Sequence, residues 1–314
     1  MTSIVQDYYR RTFFLFLPGI CNAKCYFCYV RPTFSERTKI GRYTTEKLRS
    51  FLRIIQSAGF NEVRLTGGEP LVFSDISKII DAIQTCGMKY TLITNGIYLD
   101  RYVPLICSTR PHNITVSFHS LDHFEHILGR RIDVHKITHS MEEILNLQVN
   151  VTVTIVFLPE NQSEIIDIVK HFVGIGVKRF KLIYPNQETI GMHTYTKFKD
   201  MLDVIQNYGW SNSIEIRHTD FAQMGCLQRD RGFLSLTLPD FHLYNCCAVV
   251  NHKSSCASEP FDTNTLLSTL ASFYRQNQMI EGWPCKPFMT ACPISLKTMR
   301  ISADKKPVAG ICCS

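Results

Sequence analysis

From residue 12 to residue 210 the chain repeats one pattern. A short run of apolar, β-branched or aromatic residues is followed by a longer stretch whose apolar positions recur every three or four residues. The runs are Thr12–Leu17, Glu62–Thr66, Lys89–Thr94, Asn113–Phe118, Asn150–Phe157 and Arg179–Tyr184. They read as near-continuous strands of a parallel sheet buried on both faces. Between them, Thr45–Ala58 places Leu48, Phe51, Leu52, Ile54 and Ile55 on one helical stripe. Ile76–Cys86 and Ile165–Phe172 repeat that periodicity. Asn161 and Glu164 have the spacing of a capping box before the last of these helices, and Gly174 and Gly176 would end it.

Strand and helix alternation with right-handed crossovers predicts an α/β fold whose parallel sheet curves toward a barrel. Six units are fewer than the eight that close one, so the expectation is a partial (β/α)6 TIM-like barrel over residues 1–210. After that the chain changes character. Cys226, Cys246, Cys247, Cys256, Cys285, Cys292, Cys312 and Cys313 all lie in residues 211–314. Phe233–Leu238 and His242–Asn245 read as a hairpin turning near Pro239-Asp240, and Thr263–Arg275 reads as a helix. This segment is expected to form a small cysteine-rich α+β domain.

The 314 residues are 45% hydrophobic, enough for a sizeable core. The net charge of +7 is compatible with anionic substrates but gives no argument for nucleic acid. No signal peptide or membrane-spanning segment is legible, so the expected location is the cytoplasm. Thiols stay reduced there, and thirteen cysteines then point to metal or cluster ligation rather than disulfides.

Cys21, Cys25 and Cys28 stand in the spacing Cys-x3-Cys-x2-Cys. Three thiolates this close can hold three irons of a cubane cluster and leave the fourth without a protein ligand. A structural zinc site is the alternative, but zinc usually closes its shell with two pairs of ligands. Gly67-Gly68-Glu69-Pro70 follows the strand-like Val63-Arg64-Leu65-Thr66. Both segments follow strands, and so fall on the C-terminal rim where barrel enzymes gather their reactive groups.

Together the triad, Phe27 before its last cysteine, and the Gly-Gly-Glu segment resemble the radical S-adenosylmethionine (radical SAM) superfamily. The resemblance implies that Cys21, Cys25 and Cys28 hold an open [4Fe-4S] cluster whose free iron binds the methionyl group of S-adenosylmethionine. One electron, from a donor such as flavodoxin or ferredoxin, would then release a 5′-deoxyadenosyl radical that abstracts hydrogen. Gly67 and Gly68 would allow close backbone approach or positive φ, and Glu69 would accept from the methionyl ammonium. Thr94, Asn95 and Ser117 would meet the ribose or carboxylate, and Phe27 and Tyr26 the adenine. His119 reads as a satisfied polar residue rather than a substrate ligand.

The C-terminal order of cysteine, hairpin, cysteine, helix and two more cysteines resembles the SPASM and twitch auxiliary-cluster domains. That implies a second [4Fe-4S] cluster held by Cys226, Cys246, Cys285 and Cys292, with Cys247, Cys256, Cys312 and Cys313 as competing ligands and a four-cysteine zinc site as the alternative. The expected substrate is a peptide or a small biosynthetic intermediate, with no nucleic-acid or membrane site. A molybdenum-cofactor-cyclase-like nucleotide rearrangement ranks below this, because that enzyme ends in a Gly-Gly tail and this chain ends in Cys312-Cys313-Ser314. A rival from another class is a non-catalytic iron–sulfur carrier; the Gly-Gly-Glu segment speaks against it, because a carrier needs no site for the methionyl amine. No acid or base can be named from the sequence.

Overall fold

The computed structural model describes residues 12–17, 20–28, 43–57, 59–185, 194–211, 213–220, 234–238 and 242–244. Strand β1 (Thr12–Phe16) leads to α1 (Thr45–Ser57), then β2 (Glu62–Thr66), α2 (Ile76–Thr85), β3 (Lys89–Thr94) and α3 (Leu99–Thr109). Next come β4 (Asn113–Ser117), α4 (Phe124–Leu128), α5 (Val134–Asn146), β5 (Val151–Val156) and α6 (Ile165–Gly174). The series ends with β6 (Arg179–Tyr184), α7 (Thr194–Gln206), β7 (Glu215–Asp220), β8 (Leu234–Thr237) and β9 (His242–Tyr244).

Among the described residues, nine strands join one sheet in the order β7-β6-β5-β4-β3-β2-β1-β8-β9. Neighbours are parallel from β7 across to β8, and β8 and β9 are antiparallel. Sequential strands lie side by side without closing, which is the partial-barrel arrangement expected. The sheet does not stop at residue 210, because β7, β8 and β9 belong to it. The expected hairpin forms, with Ser235 opposite Tyr244 and Thr237 opposite His242. Its first strand also pairs with β1. The remainder of residues 211–314, with Cys226, Cys246, Cys285 and Cys292, lies outside the described residues.

The strands differ from the expectation in one respect. They are not apolar on both faces. One face carries Phe13, Leu15, Val63, Leu65, Leu92, Ile114, Val116, Val153, Ile155, Phe180 and Leu182, all essentially buried. It packs on the helix stripes: Leu48, Phe51, Leu52 and Ile55 of α1, Ile79 and Ile83 of α2, Ile137 and Ile144 of α5, and Ile168, Val169 and Phe172 of α6. Burying each such side chain contributes about 1.5–3 kcal/mol, so this layer fixes the register of the sheet. The opposite face carries Arg64, Thr66, Thr91, Thr115, Ser117, Thr152, Thr154, Lys181 and Arg217, many of them only partly buried. β-Branched threonines promote strands whichever way they point. The apolar runs therefore marked the strands correctly but hid a polar inner face.

The capping box expected at Asn161 and Glu164 does not form. Asn161 is fully buried and ties three backbone groups together: its Oδ1 accepts from Leu158 N–H, and its Nδ2 donates to His119 O and Val156 O. Glu164 precedes α6 but makes no cap bond. Its carboxylate turns instead to the loop after β4, where Ser120 Oγ, Leu121 N–H and His123 Nδ1 bind it. Asn161 and Glu164 thus join the end of β4 to the end of β5. The helix stops as expected: Gly176, at φ +97°, donates its N–H to Val173 O.

Candidate active site

The loops after β1, β2, β3 and β4 meet at the C-terminal rim. At the end of β2, Gly67 and Gly68 make room for the cysteine loop. A Cβ on Gly67, whose φ is +125°, would lie 2.5 Å from Leu17 O. One on Gly68 would lie 2.2 Å from Ile20 O. The close approach read from these glycines is therefore to the chain's own backbone leading into Cys21. Leu17 N–H to Thr66 O and Glu69 N–H to Ile20 O close that contact, at 2.8 and 2.9 Å.

Glu69 is 3% exposed. Its Oε1 accepts from Leu71 N–H at 3.0 Å and Thr94 Oγ1 at 2.6 Å, and its Oε2 from Asn95 N–H at 2.7 Å. Burial pushes its carboxyl up to about 7, against the lowering effect of these donors. A carboxylate offers about four acceptor positions. Three are used, and one on Oε2 remains for a further donor. Glu69, expected as a cofactor ligand, is thus first of all the clasp between β2 and β3.

Asn95 continues the chain of contacts into the cysteine loop. Its Nδ2 donates to Asn22 Oδ1 at 2.8 Å and stands 3.9 Å from Cys21 Sγ, and its Oδ1 accepts from Ile97 N–H. Thr94 Oγ1 also accepts from Gly96 N–H. Ala23 N–H points at Cys21 Sγ at 3.4 Å. The Nδ2 of Asn22 is buried without a partner. Cys21 is exposed, Cys25 and Cys28 are half-buried, and none of the three is in a disulfide. Burial of the sulfur pushes the Cys21 thiol up, against Ala23 N–H, and the nearby Glu69 and Cys28 add to the rise. Metal binding overrides such a shift by deprotonating the thiol.

Among the described residues no group of three metal-ligating side chains is placed to hold one metal ion. Cubane ligands each take a different iron, so they stand farther apart than the ligands of a single ion. Accessible thiols outside any disulfide, with amide donors directed at one sulfur, fit a cluster, whose sulfurs are commonly hydrogen-bonded.

Other residues that fix this loop were not legible in the sequence. Arg130 Nη1 donates to Asn22 O at 2.8 Å, and Lys24 N–H to Leu128 O at 2.7 Å. Tyr26 Oη donates to Glu160 Oε2 at 2.8 Å, and His126 Nε2 stands 3.2 Å from Glu160 Oε1. These partners lie about 100 residues or more from the triad, in α4 and the segments that follow β4 and β5, and no local pattern marks them. Phe27 meets Tyr26 and His119 edge-on, with ring centroids 5.6 and 5.0 Å away. His119 is buried, its Nδ1 accepts from Val156 N–H, and burial pushes its imidazole down to about 3. It is the satisfied neutral histidine expected. Ser117 ends β4 on the polar face, half-buried.

The profile of the radical SAM superfamily matches residues 16–172, half of the chain. The chain belongs to the radical SAM superfamily. That membership implies an iron–sulfur cluster and S-adenosylmethionine, and it makes the chain an enzyme. Among curated relatives, the GTP 3′,8-cyclase of Aquifex aeolicus is 29% identical over 185 residues, 56% of this chain and 57% of that protein. Human molybdenum cofactor biosynthesis protein 1 is 28% identical over 194 residues, 59% of this chain and 30% of that protein. The chain thus matches little more than half the length of the first relative and less than a third of the second. The fold is similar to that of Streptococcus suis SuiB bound to S-adenosylmethionine, with TM-score 0.69 and 13% identity over 92% of this chain and 72% of that one. It is also similar to anSMEcpe with bound AdoMet, with TM-score 0.63 and 15% identity over 86% and 84%. No helix among the described residues is long and apolar enough to cross a membrane.

Proposed function

We propose that this radical SAM enzyme acts on a peptide or a small biosynthetic intermediate by hydrogen abstraction, with Cys21, Cys25 and Cys28 holding the open [4Fe-4S] cluster. The observation that carries the reading is the joint between triad and rim: Gly67 and Gly68 admit the cysteine loop, and Asn95 links Glu69 to Asn22 and Cys21. When bound, the cluster and S-adenosylmethionine supply one-electron cleavage and a 5′-deoxyadenosyl radical. The protein's part is positioning. Ala23 N–H and Asn95 Nδ2 face Cys21 Sγ and stabilise its thiolate. The spare acceptor position on Glu69 Oε2 takes an ammonium. Asn95 and Ser117, at the ends of adjacent strands, offer hydrogen bonds to sugar or carboxylate oxygens. Phe27, packed on His119, walls the loop against water.

A second [4Fe-4S] cluster, on Cys226, Cys246, Cys285 and Cys292 in a SPASM- or twitch-like segment within residues 211–314, belongs to the same proposal. So does a flavodoxin or ferredoxin as electron donor. A second reading is favoured by the curated relatives: a nucleotide rearrangement of the GTP 3′,8-cyclase kind. Incubating the reduced holoprotein with GTP and analysing the products separates the two.

Replacing Cys21, Cys25 and Cys28 together with alanine tests the central assignment. The reduced, reconstituted wild type should form 5′-deoxyadenosine and the triple variant should not. Undiminished formation by the variant would overturn it.

A further inference from the structure

One polar group beside the triad finds no partner in the protein. Asn22 follows Cys21 in the chain, and its Nδ2 is buried without a hydrogen bond. A buried donor left unpaired costs stability. Turning the amide over would not relieve it, because its orientation is set from outside. Asn95 Oδ1 accepts from Ile97 N–H at 3.0 Å, so Asn95 presents its Nδ2 to Asn22. Asn22 must meet that donor with Oδ1, at 2.8 Å, and both hydrogens of its own Nδ2 are left over.

Two braces hold Asn22 in this position. Arg130 Nη1 donates to its backbone oxygen at 2.8 Å, and Asn95 is itself fixed by its N–H on Glu69 Oε2. The donors already directed at Cys21 Sγ come from the two neighbours of Asn22: Ala23 N–H at 3.4 Å and Asn95 Nδ2 at 3.9 Å. Asn22 lies between Cys21 and Ala23 in the chain and bonds Asn95, so its spare donor belongs to the same group of amides. What this group lacks is an acceptor. The chain offers none to Asn22 Nδ2. A cubane brings thiolate and sulfide sulfurs, which accept hydrogen bonds and cannot donate them.

We infer that Asn22 belongs to the cluster site, its Nδ2 donating to a cluster sulfur beside Cys21. The inference rests on the assignment of the cluster to Cys21, Cys25 and Cys28 proposed above. A donor on a cluster sulfur favours the more negative, reduced state, so Asn22 raises the reduction potential. It thereby eases the one-electron reduction that the chemistry requires, without ligating iron.

The test is redox titration of the reconstituted full chain without S-adenosylmethionine. It follows the electron paramagnetic resonance signal that is lost when Cys21→Ala, Cys25→Ala and Cys28→Ala are combined. Asn22→Leu, close in shape but without a donor, should shift the midpoint to more negative potential. At a fixed potential the reduced-to-oxidised ratio should fall about threefold to tenfold. Asn22→Gln restores an amide and should lie between Asn22→Leu and the wild type. Arg130→Met loosens the same loop but leaves the amide in place, so its midpoint should stay at the wild-type value. If Asn22→Leu holds no cluster, Asn22→Asp decides. It keeps the acceptor for Asn95 and offers no donor, and its midpoint should also be more negative. An unshifted midpoint in the variant that loads, or an equal shift in Arg130→Met, would overturn the inference. An unshifted midpoint with weakened S-adenosylmethionine binding would assign the donor to the methionyl carboxylate and overturn it too. A wild-type signal that survives the triple variant would remove the cluster from the triad and overturn the proposed function as well, whereas the other failures leave that reading standing.

Discussion

Glu69 Oε2 and the backbone N–H of Asn95 stand 2.7 Å apart, so the carboxylate that ends β2 also fixes the end of β3. Through Asn95 it reaches Asn22 and the cysteine loop. Glu69→Ala should therefore act twice. It leaves the donors of Leu71, Thr94 and Asn95 without their acceptor, at about 2–4 kcal/mol in unfolding free energy. It also removes a carboxylate from the ammonium of S-adenosylmethionine, weakening binding by about ten- to a hundredfold. Denaturant unfolding of the cluster-free protein reads the first effect. Cofactor titration followed by the cluster's electron paramagnetic resonance signal reads the second. Wild-type values in both would reduce the segment to a turn.

The pH response of the same group has opposite signs in two measurements. Its folded pKa is raised to about 7, because burial disfavours the charge. The stability it contributes is thus present below its unfolded value and lost as pH rises through about 7. Cofactor binding runs the other way, since an ammonium needs the ionised carboxylate. Affinity for S-adenosylmethionine should fall by up to about tenfold per pH unit below about 7. Glu69→Gln should flatten that profile. An identical slope in the variant would assign the titration to another group.

The periodicity of the chain made the strands and helices legible, because burial under the helices demands aliphatic side chains at fixed spacing. Leu48, Phe51, Leu52 and Ile55 could be read directly, as could the triad with Gly67-Gly68-Glu69 on the rim. What could not be read depends on partners distant in sequence. Arg130 holds Asn22, Glu160 holds Tyr26, and Glu164 holds Ser120. The spacing of Asn161 and Glu164 suggested a local cap, yet burial offered both side chains better partners across the rim. The polar inner face was hidden for another reason: threonine marks a strand but not the face it occupies.

Gly68→Ala should damage the site without touching a ligand. Its Cβ would stand 2.2 Å from Ile20 O, which is backbone and cannot swing away. Relieving the overlap means moving the cysteine loop or the end of β2. The expected cost is on the order of 3 kcal/mol, with iron content after reconstitution falling well below that of the wild type. Gly174→Ala, at a position where a Cβ meets nothing within 4 Å, is the control. Equal iron loading of the two variants would show that the loop tolerates the shift.

His119 should make the protein sensitive to acid. Its imidazole is pushed down to about 3 by burial, and its Nδ1 accepts from Val156 N–H. A base with a depressed folded pKa contributes stability that is present above its unfolded value and lost as pH falls. Between about pH 6.5 and pH 5 the loss should be about 2 kcal/mol. His119→Asn removes the titration. Urea unfolding of both proteins at the two pH values checks it, and a matching acid loss in the variant would rule out His119 as the source.

The metal content of the whole chain bears on the cysteines beyond residue 210. If Cys226, Cys246, Cys285 and Cys292 hold a second cubane, anaerobic reconstitution should load about eight irons per chain, four at the triad and four at the C-terminal set. Cys21→Ala, Cys25→Ala and Cys28→Ala combined should then retain about half of the iron, with no S-adenosylmethionine cleavage. Zinc offers the sharpest contrast, because four thiolates in a closed tetrahedron suit it equally well. About four irons with one zinc in the wild type, and zinc alone in the triple variant, would make the C-terminal segment a zinc module and leave the open cluster as the sole redox centre.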